Sequence, residues 1–284
     1  MVEVRFAPPA MRGQVAAFMA KAFPRAKWTA DGWRALLAGR WAGPEDPFAI
    51  IATDDDQLVG VLGVVTAHRP TPAGRRTSVN MSSWYVLKDY RGQRIGPRMI
   101  TLLASLPDVT ITNFTSAPGA ITAVERAGLA VLDTHRLTWR PGAAGARWRV
   151  HRDPQAMQPH LSELSAQIQA DHDGLNLSPC VVETPDGPCF FMLAERQKHD
   201  DYVTHEVYHV SNRTLFGAHA QSIAESVLPP AAVLSADARF VPDDTTCDAR
   251  TALATPRFFS GTGMARSDVD HLYSEVVLLP LKLG

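Results

Sequence analysis

Ser82-Ser83-Trp84-Tyr85-Val86-Leu87-Lys88-Asp89-Tyr90-Arg91-Gly92-Gln93-Arg94-Ile95-Gly96-Pro97-Arg98-Met99-Ile100 is the stretch that decides the fold of this 284-residue chain. It starts as a strand, because Trp84, Tyr85 and Val86 are bulky residues suited to a pleated surface. Arg91, Gly92, Arg94 and Gly96 then make a short, basic, glycine-containing loop. Ile95, Met99, Leu102, Leu103 and Leu106 recur at helical spacing, with Pro97 in the first turn, where its missing N–H costs least. Strand, basic loop and helix N-terminus together make an anion site. The loop N–H groups and the positive end of the helix dipole converge on one spot, and a diphosphate is the natural ligand.

Upstream, residues 2–6 alternate as a strand, Pro8-Pro9 breaks them, and 11–23 read as a helix with Val15, Phe18, Met19 and Ala22 on one face. A second helix is predicted over 31–37, capped by Thr29 or Asp31. Trp28, Trp33 and Trp41 cluster here, and core or lid packing accounts for them better than a substrate pocket. Residues 48–53 and 58–67 form a hairpin around Asp54-Asp55-Asp56, a solvated turn, and His68 closes its second strand. Downstream, 109–115 is a strand, 120–127 a helix closed by Gly128, and 130–139 a further strand.

This order of residues and elements resembles the acyl-CoA loop and fold of the GNAT acetyltransferase superfamily. Val86, Tyr90, Arg91, Gly92, Ile95 and Gly96 match the family pattern; Arg94 stands where the family usually has Gly. The resemblance covers roughly residues 2–140. It implies an α/β fold, a mixed central sheet flanked by helices. It also implies acetyl-CoA, or another acyl-CoA, as cofactor. The pantetheine would run along Val86 and Leu87 and the diphosphate would sit on Gln93, Arg94, Ile95 and Gly96, with Arg91, Gly92 and Asn113 completing the binding set. The family's last helix often carries a Tyr that protonates the leaving thiolate, and Val124 holds that position here. Another group serves, water serves, or the domain only binds.

Candidate catalytic residues near the implied thioester are Tyr85 as proton donor, Ser116 as an orienting hydroxyl and His68 as base, its intrinsic pKa suiting that role. None of the candidates there is a carboxylate. Replacing Gly96 by a bulky residue is expected to abolish CoA binding and leave the fold intact, by blocking the backbone approach to phosphate.

Arg140-Pro141-Gly142-Ala143-Ala144-Gly145-Ala146 reads as a linker, dividing the chain into 1–140, a linker over 141–150, and 151–284. In the second half, strands at 180–183, 189–194, 202–210 and 232–240, a helix at 215–227 and a last strand at 272–279 fall in the order of the first. Tyr208-His209-Val210 matches Trp84-Tyr85-Val86, and Phe216-Gly217 matches Ile95-Gly96. Ser211-Asn212-Arg213-Thr214 keeps no phosphate loop. Two GNAT-like domains in tandem, the second degenerate, are therefore expected.

The function expected is acyl transfer from coenzyme A to an amine by direct attack on the thioester, with a longer acyl or aminoacyl group as a variant. The alternative is a non-catalytic acyl-CoA sensor or scaffold. The acceptor is a small-molecule or protein amine. A net charge of −1 with no basic run argues against nucleic acid. No apolar run reaches membrane-spanning length and the N-terminus lacks the apolar core of a signal peptide, so a cytoplasmic location is expected. Cys180, Cys189 and Cys247 lack metal spacing, and Cys180 and Cys189 read as small buried hydrophobes. His205 and His209, four apart on a strand, are too distant to share an ion, so no metal site is expected.

Overall fold

The computed structural model describes residues 1–142, 147–198, 202–261, 263–279, 281 and 283; the middle of the expected linker, 143–146, lies outside them. Two compact units emerge. The first comprises Met1–Val131, Arg257–Arg266 and Tyr273–Leu281; the second comprises Leu132–Pro256, Ser267–Leu272 and Lys282–Gly284. The linker reading put a boundary at 141–150, whereas the contacts divide the chain at 131/132 and return two C-terminal segments to the first unit.

In the first unit, β1 (Glu3–Phe6) is followed by α1 (Arg12–Ala22), α2 (Ala30–Leu37), β2 (Ala49–Asp54), β3 (Gln57–Thr71), β4 (Gly74–Val86), α3 (Ile95–Ala104), β5 (Val109–Asn113) and α4 (Ile121–Arg126). This is the order read from the sequence. The sheet runs β1-β2-β3-β4-β5. Beyond β5 it is completed by residues 258 and 259, through Phe258↔Asn113 and Phe259↔Thr112. β2 to β4 are antiparallel, and β4 pairs with β5 in parallel. Side chains alternate across this sheet, so each face carries its own core. Ile95, Met99, Leu103 and Val124 pack on one face, while Val15, Met19, Trp33, Leu36 and Leu37 cover the other.

The chain continues with β6 (Ala130–Trp139), β7 (Val150–His151), α5 (Pro154–Met157), α6 (Glu163–Asp171), β8 (Ser178–Thr184), β9 (Gly187–Lys198), β10 (Tyr202–Val210), α7 (Arg213–Val227), β11 (Val233–Asp237), β12 (Ala249–Phe259) and α8 (Glu275–Leu278). The sheet of the second unit runs β6-β11-β10-β9-β8-β7. β10 and β11 are its parallel pair, and β11 is flanked by β6. Each unit thus completes its sheet with a strand from the other half of the sequence. β12 was not foreseen. The stretch 272–279, expected as a last strand, instead bends and forms the short helix α8. Its paired apolar residues, Val276-Val277 and Leu278-Leu279, do not alternate, so a strand would have exposed half of them.

β10 repeats the irregularity of β4. In β4 the last parallel pair is Asn80↔Thr112, and the register shifts after Met81. In β10 the last parallel pair is Glu206↔Ser235, and the register shifts after Val207. Matching the ladders equates Asn80 with Glu206, a pairing shifted from the one read off the strand ends. The helix starts differ. Asn212 caps α7 by accepting from the Leu215 N–H at 2.9 Å, while no side chain caps α3.

Candidate functional site

The site grows from the end of the β4–β5 ladder. After Asn80↔Thr112, β5 pairs no further with β4, and β4 continues against β3 alone. The register slips between Leu62↔Trp84 and Val64↔Met81, so Ser82 and Ser83 together oppose Gly63 in a β-bulge. The Leu87 N–H donates to Val59 O at 2.9 Å. Antiparallel alternation then turns the amides of Trp84 and Val86 toward the open edge of β4. That edge can accept an extended amide chain. The sequence reading named Val86 and Leu87, but Leu87 faces β3, and the open pair is Trp84 and Val86. Val86 O accepts from Arg91 Nε at 3.1 Å, which places the Arg91 guanidinium at this edge.

The loop leading to α3 has the predicted form. Gly92 has φ 83 with open space where a Cβ would stand. Arg94 takes the left-handed conformation, φ 58 and ψ 19, at the helix N-cap, where its family counterpart is Gly. Among the described residues no acceptor takes the N–H groups of Gln93, Arg94, Ile95 and Gly96, and these point with the helix dipole at one locus. An Arg in this conformation is strained by about 1–2 kcal/mol. Arg94→Gly is therefore expected to stabilise the free protein by up to about 1 kcal/mol, after the greater unfolded-state freedom of Gly is offset, as chemical denaturation would measure.

Gly96 has a different role from the one expected. A Cβ on it would come within 2.0 Å of Trp84 Cζ2 and 2.8 Å of Cε2. The missing side chain makes room for an indole belonging to the strand, not for a phosphate.

The predicted catalytic residues separate. His68 pairs with Thr77 in the ladder, at the far end of the β4–β5 pairing from the open edge. Its Nε2 bonds to Asp46 Oδ2 at 2.6 Å and its Nδ1 to Thr77 Oγ1 at 3.1 Å. It is thus tied to a hairpin and removed from the site. Tyr85 lies on the α1–α2 side, edge-on to Phe23 at 5.6 Å and Phe18 at 6.4 Å. Ser116 Oγ donates to Asn113 Oδ1 at 2.9 Å, and Asn113 Nδ2 reaches Met81 Sδ at 3.9 Å, so both are locked in the floor beside β4. Val124 is 0% exposed in the α3 core and offers no chemistry. Cys180 and Cys189 are buried hydrophobes as expected, and burial pushes each thiol up to about 12.

A carboxylate absent from the sequence reading occupies the site. Glu275, at the first turn of α8, is 2% exposed. Its N–H donates to Asn80 Oδ1 at 3.0 Å, and Asn80 Nδ2 donates to Thr112 Oγ1 at 3.1 Å. The side chain that ends the ladder therefore holds the incoming segment. Thr115 Oγ1 donates to Glu275 Oε1. Ser82 Oγ makes no aligned hydrogen bond as placed, yet it stands close enough to favour the ionised carboxylate, as does Arg257. Burial outweighs these groups and raises the Glu275 pKa above the usual carboxylate range. A carboxylate of raised pKa beside a strand opening is suited to act as a proton acceptor. The sequence carried one signal: a lone acid inside the apolar run Val276-Val277-Leu278-Leu279 and Leu272-Tyr273, where an unexplained charge is costly.

Ser83, the next residue of the bulge, lines a cavity of about 490 Å³ with Phe23, Pro24, Arg25, Trp28 and Trp33. Trp28 and Trp33 meet edge-to-face at 5.2 Å, and Phe23 and Trp33 lie at 5.4 Å with their planes tilted by 34°. The tryptophans expected as packing do pack, and they also wall this cavity. One bulge thus turns Ser82 toward Glu275 and Ser83 toward an aromatic pocket.

The sequence profile of the acetyltransferase (GNAT) family matches residues 15–106, which contain β2 to β4, the loop and α3. A search of curated protein sequences gives no match. Among solved structures, a GCN5-related N-acetyltransferase from Kribbella flavida is similar, with TM-score 0.55, 11% identity, and 91% of this chain and 71% of that one covered. One from Anabaena variabilis gives 0.55 and 10%, with 91% and 72% covered. A probable N-acyltransferase from Enterococcus faecalis gives 0.55 and 12%, with 91% and 72% covered. At these identities the likeness is one of fold. Residues 15–106 match the GNAT acetyltransferase family, and the chain around them has the GNAT type of fold.

Proposed function

We propose that the first unit binds an acyl-CoA along the open edge of β4 and transfers its acyl group to an amine. Acetyl is the favoured acyl group. The observation that carries the reading is the buried Glu275 carboxylate, set against the bulge where β4 leaves β5. The residues present fit the cofactor. Trp84 and Val86 offer amides to the pantetheine, and the uncapped α3 N-terminus with Gln93 to Gly96 offers N–H groups to the diphosphate. Arg91 and Arg94 add positive charge there, Arg91 first releasing Val86 O. Bound acyl-CoA supplies the activated thioester carbonyl.

The chain's own residues supply position and a proton acceptor. Glu275 takes the proton that the acceptor ammonium loses on becoming the attacking amine, Ser82 lies close to this carboxylate, and the thiolate released as the amide forms would take its proton from water. Thr115 and Asn80 hold the carboxylate and its backbone in place. Neither Val124 nor His68 takes part. Phe23, Trp28 and Trp33 receive an apolar or aromatic portion of the acceptor, a small-molecule or peptide amine. Trp28→Ala is expected to raise the acceptor KM about tenfold and leave CoA affinity unchanged; steady-state kinetics with varied acceptor checks this.

The second unit reads as a duplicated, degenerate copy. β10 shares the bulge and parallel pairing of β4, but Asn212 occupies the helix N-terminus that a phosphate would need. Calorimetric titration with CoA and acetyl-CoA, followed by thiol release over a panel of amines, tests the whole reading. Binding with turnover supports it. Binding without turnover favours an acyl-CoA sensor, and absence of CoA binding overturns both.

A further inference from the structure

We propose that His151, His160 and Glu183 in the second unit form a binding site for one divalent transition-metal ion, zinc being the best match. This site is independent of the acyl-transfer reading. One ligand atom from each residue, the two imidazole nitrogens and a carboxylate oxygen, lies within 4.8 Å of the others.

Sheet geometry places two of the three. β7 pairs with β8 through His151↔Val181, and the Glu183 N–H donates to Arg149 O at 3.0 Å. His151 and Glu183 are then diagonal neighbours on one face, within reach of each other. The third comes from the turn after α5. Asp153 caps that helix, accepting from Gln155 N at 3.0 Å and Ala156 N at 3.1 Å, and the buried Met157 anchors it. The following turn, Gln158–His160, delivers the His160 ring onto His151, stacked at 4.6 Å with the planes 27° apart.

A plain ion pair does not require this arrangement. His151 Nε2 already bonds Glu183 Oε1. His160 Nε2 points at the same oxygen from 3.6 Å, beyond hydrogen-bond length. Two imidazole nitrogens directed at one carboxylate oxygen are the donor set of a three-ligand zinc site, with a fourth position left for water or another ligand. Tetrahedral coordination brings ligand atoms to about 3.3 Å from one another, from metal–ligand lengths near 2.0–2.1 Å. Reaching that spacing, by opening the His151–Glu183 contact and drawing in the more distant atoms, needs only side-chain torsions. His160 and Glu183, 30% and 40% exposed, are free to make them, while His151, at 10%, is the fixed point. Arg149 adds a positive charge near Glu183 and moderates the affinity.

The test uses the full chain, stripped with chelator and titrated calorimetrically with zinc chloride, with cobalt(II) as a spectroscopic probe. One saturable equivalent, a raised melting temperature and the strong visible bands of four-coordinate cobalt are expected. His160→Ala and Glu183→Gln should each weaken zinc binding by at least about tenfold, with the circular dichroism of the metal-free protein unchanged. His151→Ala should do the same, but its lower exposure makes the two more exposed variants the deciding pair. Absence of saturable binding, or binding of equal affinity in Glu183→Gln and His160→Ala, overturns the site.

Discussion

In Glu275→Gln, amine-dependent thiol release falls roughly a hundred- to ten-thousandfold, the range of a positioned general base, while calorimetric affinity for acetyl-CoA stays at the wild-type value. The pH profile separates this from a structural effect. Burial raises the Glu275 pKa, so the wild-type rate drops as pH falls through that raised value and the base becomes protonated. The variant loses this limb and keeps a flat residual rate. Stability moves the other way. The folded protein holds the Glu275 proton more tightly than the unfolded chain does, so Glu275 favours folding at pH values below its folded pKa. That contribution is lost as pH rises and a buried charge forms. Gln carries no charge and still accepts from Thr115, so the variant melts at or above the wild-type temperature at neutral pH. An active Glu275→Gln enzyme would remove Glu275 from the mechanism.

Gly96→Ala is expected to damage the first unit itself. The added methyl meets the Trp84 indole at 2.0 Å, with further contacts at 2.8 and 3.0 Å. The indole packs against the core that α3 shares with the sheet, so the helix start or the strand must shift. Overpacking of this kind costs about 1–3 kcal/mol or more, read as a lower denaturation midpoint of the first unit. CoA binding is lost with it, because the displaced elements are the ones that present the loop. The second site decides the cause. Trp84→Ala in the same chain removes the clash and restores both stability and part of the CoA affinity, a non-additive pair. If Gly96→Ala lost CoA binding at full stability, the expectation drawn from the sequence, a phosphate approach blocked by a side chain, would be correct and the packing account would fall.

These two residues mark what local pattern reveals. The stretch 82–100 declared strand, loop and helix because each of its signals acts within a few residues: β-branched and aromatic bulk, glycine, helical periodicity and a proline in the first turn. The order from β4 through the loop to α3 follows from such short-range rules. Gly96 was marked for the right property, a missing Cβ, but the neighbour filling the space sits twelve residues back on the strand. Trp28 and Trp33 likewise announced burial, and only packing showed that they also wall a cavity.

The sequence by itself determined the β-α-α-β-β-β-α-β-α order of the first unit, the basic glycine-containing loop between β4 and α3, and the burial of Cys180 and Cys189. Tertiary structure alone decided three matters: which strand completes each sheet, that His68 sits at the wrong end of the ladder, and that the carboxylate comes from Glu275. The reason is range. Strand and helix signals are written in neighbouring residues, whereas Asn80 meets Glu275 across most of the chain through one hydrogen bond. The cost of leaving those buried polar groups unpaired fixes that bond, and no periodicity records it.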